Sequence, residues 1–505
     1  MAKFAVTDPA TSAVVGTVED LSPEQAAAQV GAAQAAFEQW REASPRHRAE
    51  VLMRAYEGMH AQKERLRDLI VAENGKSQVD AAAEVNYAAE FFRWYAEEAV
   101  RPAGDYAPAP AGGVRNVVTR HPVGVAVLIT PWNFPAAMAT RKIGPALAAG
   151  CAVLLKPAAE TPLTALAVAE ILSEAGAPEG LVQIATTTDS GGVVSAWLAD
   201  ERVRKLSFTG STRVGRILLG QCAERVVNTS MELGGNAPFI VTEDADLDAA
   251  VAGAMVAKFR NGGQACTAAN RFYVHEAVAE EFTAKFGVAI EALNVGDAAE
   301  GAEIGPVISA QAAVGIRELI DGAVAEGAEV AHRAELPQGL AETFVAPQLL
   351  TGVPGEAAIL REEIFRAGGA GGDLERGAGG HRAGQRCRGG PGLLCLCRGP
   401  EAGHADRRTA GGRHGRHQSR HRLRSLGALR RGEAGRHRPR GRQLRDGGVH
   451  RAAVPGGGLE LRQERGTDRL VPAVPEDLRP HSVRLLNNPV ICGMLVEKQR
   501  LRKAG

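Results

Sequence analysis

With 505 residues, 59 Lys plus Arg and 58 Asp plus Glu, the chain is nearly neutral and too long for one ordinary domain; its length alone suggests about two to four. Seven cysteines make no disulfide framework, which excludes a small secreted scaffold and points to a reducing, cytoplasmic address. The opening Met1-Ala2-Lys3-Phe4-Ala5-Val6 is no apolar signal, and nothing approaches about eighteen apolar residues in a row, so neither secretion nor a membrane span is expected.

Ser22-Pro23-Glu24-Gln25 predicts a helix start: Ser22 caps, Pro23 suits the first turn, and Gln25 stands where a capping box needs an amide. An Ala-rich helix to about Trp40 follows. Ser44-Pro45 opens a second helix, whose apolar positions Val51, Leu52, Ala55, Met59, Leu66 and Leu69 keep helical spacing. A third runs from about Gln78 to Val100. From Val123 the pattern changes. Residues 123–130 are a continuous apolar run, as in a strand buried on both faces. Helices over residues 136–149, 161–175 and 191–199 then alternate with strands over 151–155, 181–184 and 203–208. A second set has a strand at 237–242, a helix at 247–259, a strand at 270–274 and helices near 280–293 and 310–326. This alternation predicts an α/β protein with parallel sheets and a second α/β domain beginning near residue 235.

The stretch Asn261-Gly262-Gly263-Gln264-Ala265-Cys266 sets one cysteine behind a glycine turn. A lone cysteine is most often a small buried hydrophobe. Here the two glycines allow close backbone approach, and Thr267-Ala268-Ala269 open an element expected to bring a helix N-terminus near the thiol and lower its pKa. Four other stretches accompany it. Thr130-Pro131-Trp132-Asn133-Phe134-Pro135 ends one buried strand, where α/β sheets carry their sites. Phe208-Thr209-Gly210-Ser211-Thr212, with Gly215, ends another and suits a phosphate-cradling turn. Glu232-Leu233-Gly234-Gly235 puts a carboxylate beside a flexible turn, and Glu362-Glu363-Ile364-Phe365 is a short acidic and apolar motif.

Together and in this order these stretches resemble the aldehyde dehydrogenase superfamily over roughly residues 4–365. The resemblance implies a non-classical Rossmann cofactor domain over residues 1–234 with an oligomerisation arm near 107–125, and an α/β catalytic domain over 235–365. It implies that Cys266 attacks the aldehyde carbon, that the Asn133 amide and the Cys266 backbone N–H stabilise the oxyanion, and that Glu232 activates water against the thioester. Trp132, Gly210, Ser211 and Gly215 would line the cofactor, with Ser211 on the pyrophosphate; Lys156 would meet the adenosine ribose, Glu363 the nicotinamide ribose, and Phe365 would pack at the nicotinamide. Ala139-Thr140-Arg141-Lys142 and Lys258-Phe259-Arg260-Asn261 resemble succinate-semialdehyde dehydrogenases, whose matching arginines hold the distal carboxylate; Arg141 and Arg260 would supply such guanidinium forks. Enzymes acting on glutarate semialdehyde would look much the same. In Lys156-Pro157-Ala158-Ala159-Glu160 the family position that often carries Glu in NAD-preferring relatives is Ala159, which leaves room for a 2′-phosphate and favours NADP over NAD, although Glu160 stands next to it. The resemblance further implies a homodimer or homotetramer, and no metal site is expected.

After Phe365 the character of the chain breaks. All 13 Phe, 4 Trp and 5 Tyr lie before Arg366, and residues 366–481 contain no Lys, Asn, Ile or Met. Such a segment cannot bury enough apolar area to offset its chain entropy, so the C-terminal part is expected to be disordered or misfolded. Read one base out of frame, residues 366–374 can hide Gly-Pro-Val-Ala-Pro-Val-Val-Thr, the family's expected continuation. Residues 414–421 can hide Met-Val-Gly-Ile-Asn-Arg-Gly, and residues 426–434 Ser-Ala-Pro-Phe-Gly-Gly-Val-Lys. A one-base insertion after the Phe365 codon accounts for all three, and a chain so interrupted is expected to lack its final strands, expose a sheet edge and be inactive. The alternative of an Arg/Gly-rich nucleic-acid-binding tail lacks the aromatics that stack bases.

Overall fold

The computed structural model describes residues 2–361 and the backbone of Leu393–Arg398. Strands β1 (Lys3–Thr7) and β2 (Val14–Glu19) make an antiparallel ribbon. Helix α1 (Pro23–Trp40) begins on the expected capping box, the Ser22 hydroxyl accepting from the Gln25 N–H and the Gln25 amide oxygen from the Ser22 N–H at 2.9 Å. The single helix expected beyond residue 45 is two, α2 (Pro45–Ala61) and α3 (Lys63–Asn74). They part at Gln62, whose φ of −102° and ψ of 21° leave the helical region; the apolar spacing runs on through the break and hid it. Gly75, at φ 80°, ends α3 in the left-handed conformation that glycine adopts without strain. Helix α4 (Gln78–Ala99) is capped by Ser77. A hairpin of β3 (Asp105–Pro108) and β4 (Arg115–Val118) follows, every residue of it exposed.

The first sheet holds β5 (Val125–Ile129), β6 (Ala152–Lys156), β7 (Val182–Ile184), β8 (Val203–Gly210) and β9 (Asn228–Leu233), all parallel, in the order β7-β6-β5-β8-β9. Helices α5 (Pro135–Ala148), α6 (Pro162–Glu174), α7 (Ser190–Ala199) and α8 (Thr212–Ala223) connect them. Every residue of β5 and β6 is buried, as their unbroken apolar sequences require. The strand order reverses beside β5, so the loops leaving β5 and β8 flank the crevice where open α/β sheets bind ligands. Strand β9 was not foreseen from sequence; it carries Glu232 opposite Thr209 of β8.

The second sheet runs β10 (Ala237–Val241), β11 (Ala269–Val274), β14 (Leu393–Arg398), β13 (Gln348–Thr351), β12 (Glu329–Arg333). Helices α9 (Leu247–Phe259), α10 (Glu276–Glu291) and α11 (Ala310–Ala325) belong to this half, and Phe239, Phe272, Phe282 and Phe286 form an aromatic cluster with ring centroids 5.1–6.5 Å apart. Strand β14 pairs in parallel with both β11 and β13 and is their sole link within the described sheet. That corrects the expected exposed edge: the backbone of Leu393–Arg398, from beyond the break, fills the place between β11 and β13.

Candidate active site

The cysteine turn is built from three successive left-handed residues: Asn261 (φ 57°), Gly262 (φ 57°) and Gly263 (φ 81°). Asparagine tolerates this region better than most side chains. At Gly262 an added Cβ would meet only the Gln264 amide at 3.7 Å, so conformation and not space demands the glycine there. The turn is tied down on all sides. The Asn261 N–H donates to the Asp80 carboxylate at 2.7 Å. Its side-chain Nδ2 donates to the carbonyls of Asn133 at 2.8 Å and Gln264 at 3.0 Å. The Asn133 Nδ2 donates to the same Gln264 carbonyl at 2.9 Å, so the loop after β5 and the cysteine turn are one bonded unit. The Gln264 side chain accepts from the Ile308 N–H at 3.1 Å, which pins the turn from the other side.

No helix starts at Thr267. Residues Ala269–Val274 are strand β11, and the expected help from a helix N-terminus is corrected. Burial by its surroundings pushes the Cys266 thiol up; Arg141 pulls it down, Glu232 pushes it further up, and Arg260 pulls it down. The Cys266 side chain is nevertheless open to solvent. Exposure decides whether an electrophile reaches the sulfur, and the atoms crowded around it decide its acidity.

The groups that act on the thiol are therefore Arg141 of α5, Glu232 at the end of β9 and Arg260 at the start of the turn, drawn from three separate elements. The Arg260 guanidinium lies 5.2 Å from the centroid of the Phe134 ring. Asn133 and Trp132 are buried, and the Trp132 carbonyl accepts from Asn74 Nδ2 at 3.1 Å.

On the other side of the first sheet, Lys156 ends β6, buried, its ammonium donating to the Ser190 hydroxyl at 2.9 Å. Burial lowers its pKa to about 8, against the pull of Glu160. Ala159 is half-buried beside it. Ser211 caps α8, its hydroxyl accepting from the Val214 N–H at 3.3 Å, and Gly210 closes β8 just before it. At Gly215 a Cβ would lie 2.7 Å from Leu233, so this glycine lets α8 pack onto β9, as the last glycine of a dinucleotide turn does. A buried cation at one strand end and a glycine-flanked helix N-terminus at another, on either side of the switch point, fit an adenine dinucleotide. Glu363 and Phe365 lie outside the described residues. Among the described residues no group of three His, Cys, Asp or Glu could hold a metal, and no helix is long and apolar enough to cross a membrane.

Sequence reasoning missed Asp80, Lys76 and Glu84, which hold the loop and the turn from behind. No local signal marked them, since a lysine after a glycine turn and carboxylates in a helical pattern read as surface.

The sequence description of the aldehyde dehydrogenase family matches residues 1–366. A succinate-semialdehyde dehydrogenase from Paenarthrobacter nicotinovorans is 48% identical over 353 residues, 70% of this chain and 78% of that protein. A glutarate-semialdehyde dehydrogenase from Pseudomonas putida is 44% identical over 361 residues, 71% and 74% of the two. Among solved structures, an Escherichia coli NADP-dependent enzyme superposes with a TM-score of 0.72 at 40% identity, covering 79% of this chain and 78% of that one.

Proposed function

The chain belongs to the aldehyde dehydrogenase family, and on that premise we propose that it oxidises a short aldehyde bearing a distal carboxylate, succinate semialdehyde or its one-carbon-longer homologue, to the acid. The observation that carries this reading is the pair of guanidinium groups, Arg141 and Arg260, acting on the same sulfur. Two cations beside one nucleophile suit a substrate whose far end is an anion.

The Cys266 thiolate adds to the aldehyde carbon, and the carbonyl electron pair moves onto oxygen. The Asn133 amide and the Cys266 backbone N–H hold that oxyanion, and Arg141 and Arg260 hold the carboxylate so that the carbon stays over the sulfur. When bound, the nicotinamide supplies the hydride acceptor that turns the hemithioacetal into a thioester. Glu232 then takes a proton from water, hydroxide adds to the thioester carbonyl, and the C–S bond breaks to return the thiolate. Lys156 with Ser190 would meet the adenosine ribose and a 2′-phosphate, Trp132, Gly210, Ser211 and Gly215 the rest of the cofactor. The small Ala159 favours NADP over NAD, and similarity to an NADP-dependent enzyme supports the same side. The exposed β3–β4 hairpin would serve assembly into a dimer or tetramer, in the cytoplasm.

Removing either guanidinium forfeits a charge-assisted interaction of about 1.5–3 kcal/mol, so Arg141→Ala or Arg260→Ala should cut kcat/KM for succinate semialdehyde roughly 10- to 100-fold and leave butanal oxidation nearly unchanged. Equal losses on both aldehydes would contradict the carboxylate role.

The reading frame after Phe365 forms part of the proposal. The family match ends at residue 366, where the composition changes, and this supports a one-base insertion. The restored frame encodes the active enzyme; the chain as written is inactive, its basic tail being translated out of frame. Resequencing the gene across the Phe365 codon decides it, and DNA with no frame encoding Gly-Pro-Val after that codon would end the idea.

A further inference from the structure

Helix α5, which follows the Asn133 loop, has no local cap: Phe134 offers no side-chain acceptor, and Pro135 occupies the first turn. Its free N–H groups are met from another helix. The Glu84 carboxylate accepts from the N–H of Ala136 at 2.9 Å and of Ala137 at 3.2 Å. The other Glu84 oxygen accepts from the Lys76 ammonium, which also donates to the Asn133 carbonyl at 2.7 Å and lies 4.2 Å from the centroid of the Phe134 ring. One turn earlier on the same helix, Asp80 accepts from the N–H of the left-handed Asn261. Lys76 and Glu84 are 2% and 3% exposed.

Burying an ion pair is a poor route to stability, since desolvation offsets the Coulomb gain. Fixed geometry is what such a pair does supply here. The bonds of the pair end on the Asn133 loop and the first turn of α5, and the bond of Asp80 ends on the turn of Cys266. We infer that Lys76, Asp80 and Glu84 are positioning residues: the start of α4, with Lys76 just before it, is a common mount that fixes the Asn133 amide and the Cys266 turn against each other. This rests on reading Asn133 and Cys266 as the two walls of the oxyanion pocket. None of the three touches substrate; they act through the carbonyl of Asn133 and the N–H of Asn261.

The test follows Cys266 alkylation by iodoacetamide in the full chain, read peptide by peptide across a pH series, so that it needs no turnover. Cys151 and Cys222, both buried, report unfolding in the same digest. Asp80→Ala removes the acceptor, and Asp80→Asn keeps one. Loss of the mount by Asp80→Ala should move the Cys266 rate, or its pH midpoint, by more than about threefold in apparent rate, with Cys151 and Cys222 still protected and Asp80→Asn close to wild type. Glu84→Gln should act in the same direction; if it fails to fold, the Asp80 pair decides. A rate within about threefold of wild type in Asp80→Ala overturns the inference. So does a change shared by all three cysteines, or one that Asp80→Asn fails to rescue. A shifted rate in the full chain, together with a restored-frame protein that oxidises no aldehyde, would leave the mount standing and remove the proposed reaction instead.

Discussion

At the scale of single residues the chain separates groups whose meaning is local from groups whose meaning is distant. Gly262, Gly263 and Cys266 were legible because two adjacent glycines mark a turn that permits close approach, and a lone cysteine stands just behind it. Glu73, Asp80 and Glu84 were not, because a carboxylate in a helical pattern reads as solvated until the fold buries it. Glu73 accepts from the N–H groups of Leu163 and Thr164 at 2.8 and 3.0 Å, and burial raises its pKa from 4.5 to about 7. A carboxyl with a raised folded pKa contributes stability that is complete below its unfolded pKa and is lost as pH rises through the folded one. The whole loss, between about pH 4.5 and 7, is on the order of 3 kcal/mol. Glu73→Gln should therefore raise the urea midpoint at pH 8 and leave it little changed at pH 5; a lower midpoint at pH 8 would contradict the burial account. Lys156 runs the other way. Its cation is present below about pH 8 and lost above, so affinity for NADP should weaken by up to about tenfold per pH unit beyond pH 8, with a proton taken up on binding. Lys156→Met should bind more weakly with a flat profile. A wild-type profile flat to pH 10 would show that the ammonium does not meet the cofactor.

At the scale of elements, periodicity found nearly every helix and four of the five strands of the first sheet, because buried parallel strands are unbroken apolar runs. It missed the parting of α2 from α3, since Met59 and Leu66 stay in phase across Gln62. It missed β9, whose Asn228–Leu233 sequence is mixed and partly exposed and owes its strand form to pairing with β8. It also missed the help that the second sheet receives from beyond Phe365. In that sheet β11 and β13 do not pair with each other; β14 joins them. A chain ending at Phe365 should therefore expose two unpaired edges and elute as aggregate in size exclusion, whereas the full chain keeps the sheet joined. A monodisperse truncated chain would show that β14 is dispensable.

At the scale of the whole molecule, the site is a convergence that no single segment announces. Arg141 of α5, Glu232 at the end of β9 and Arg260 before β11 act on one sulfur, and Asn133 of the loop after β5 is bonded to the turn that carries it. The order of the motifs made the family legible, and the switch point of the first sheet gives a reason for the residues proposed for the cofactor to flank β5. The central claim is that Cys266 is the nucleophile in the NAD(P)-dependent oxidation of an aldehyde whose carboxylate is held by Arg141 and Arg260. It is tested most directly by following NADPH formation with succinate semialdehyde and with butanal, using the restored-frame protein and its Cys266→Ser variant. The account predicts turnover that prefers the semialdehyde by at least about tenfold in kcat/KM and vanishes in Cys266→Ser. Undiminished turnover in Cys266→Ser, or no preference for the carboxylate, would contradict it.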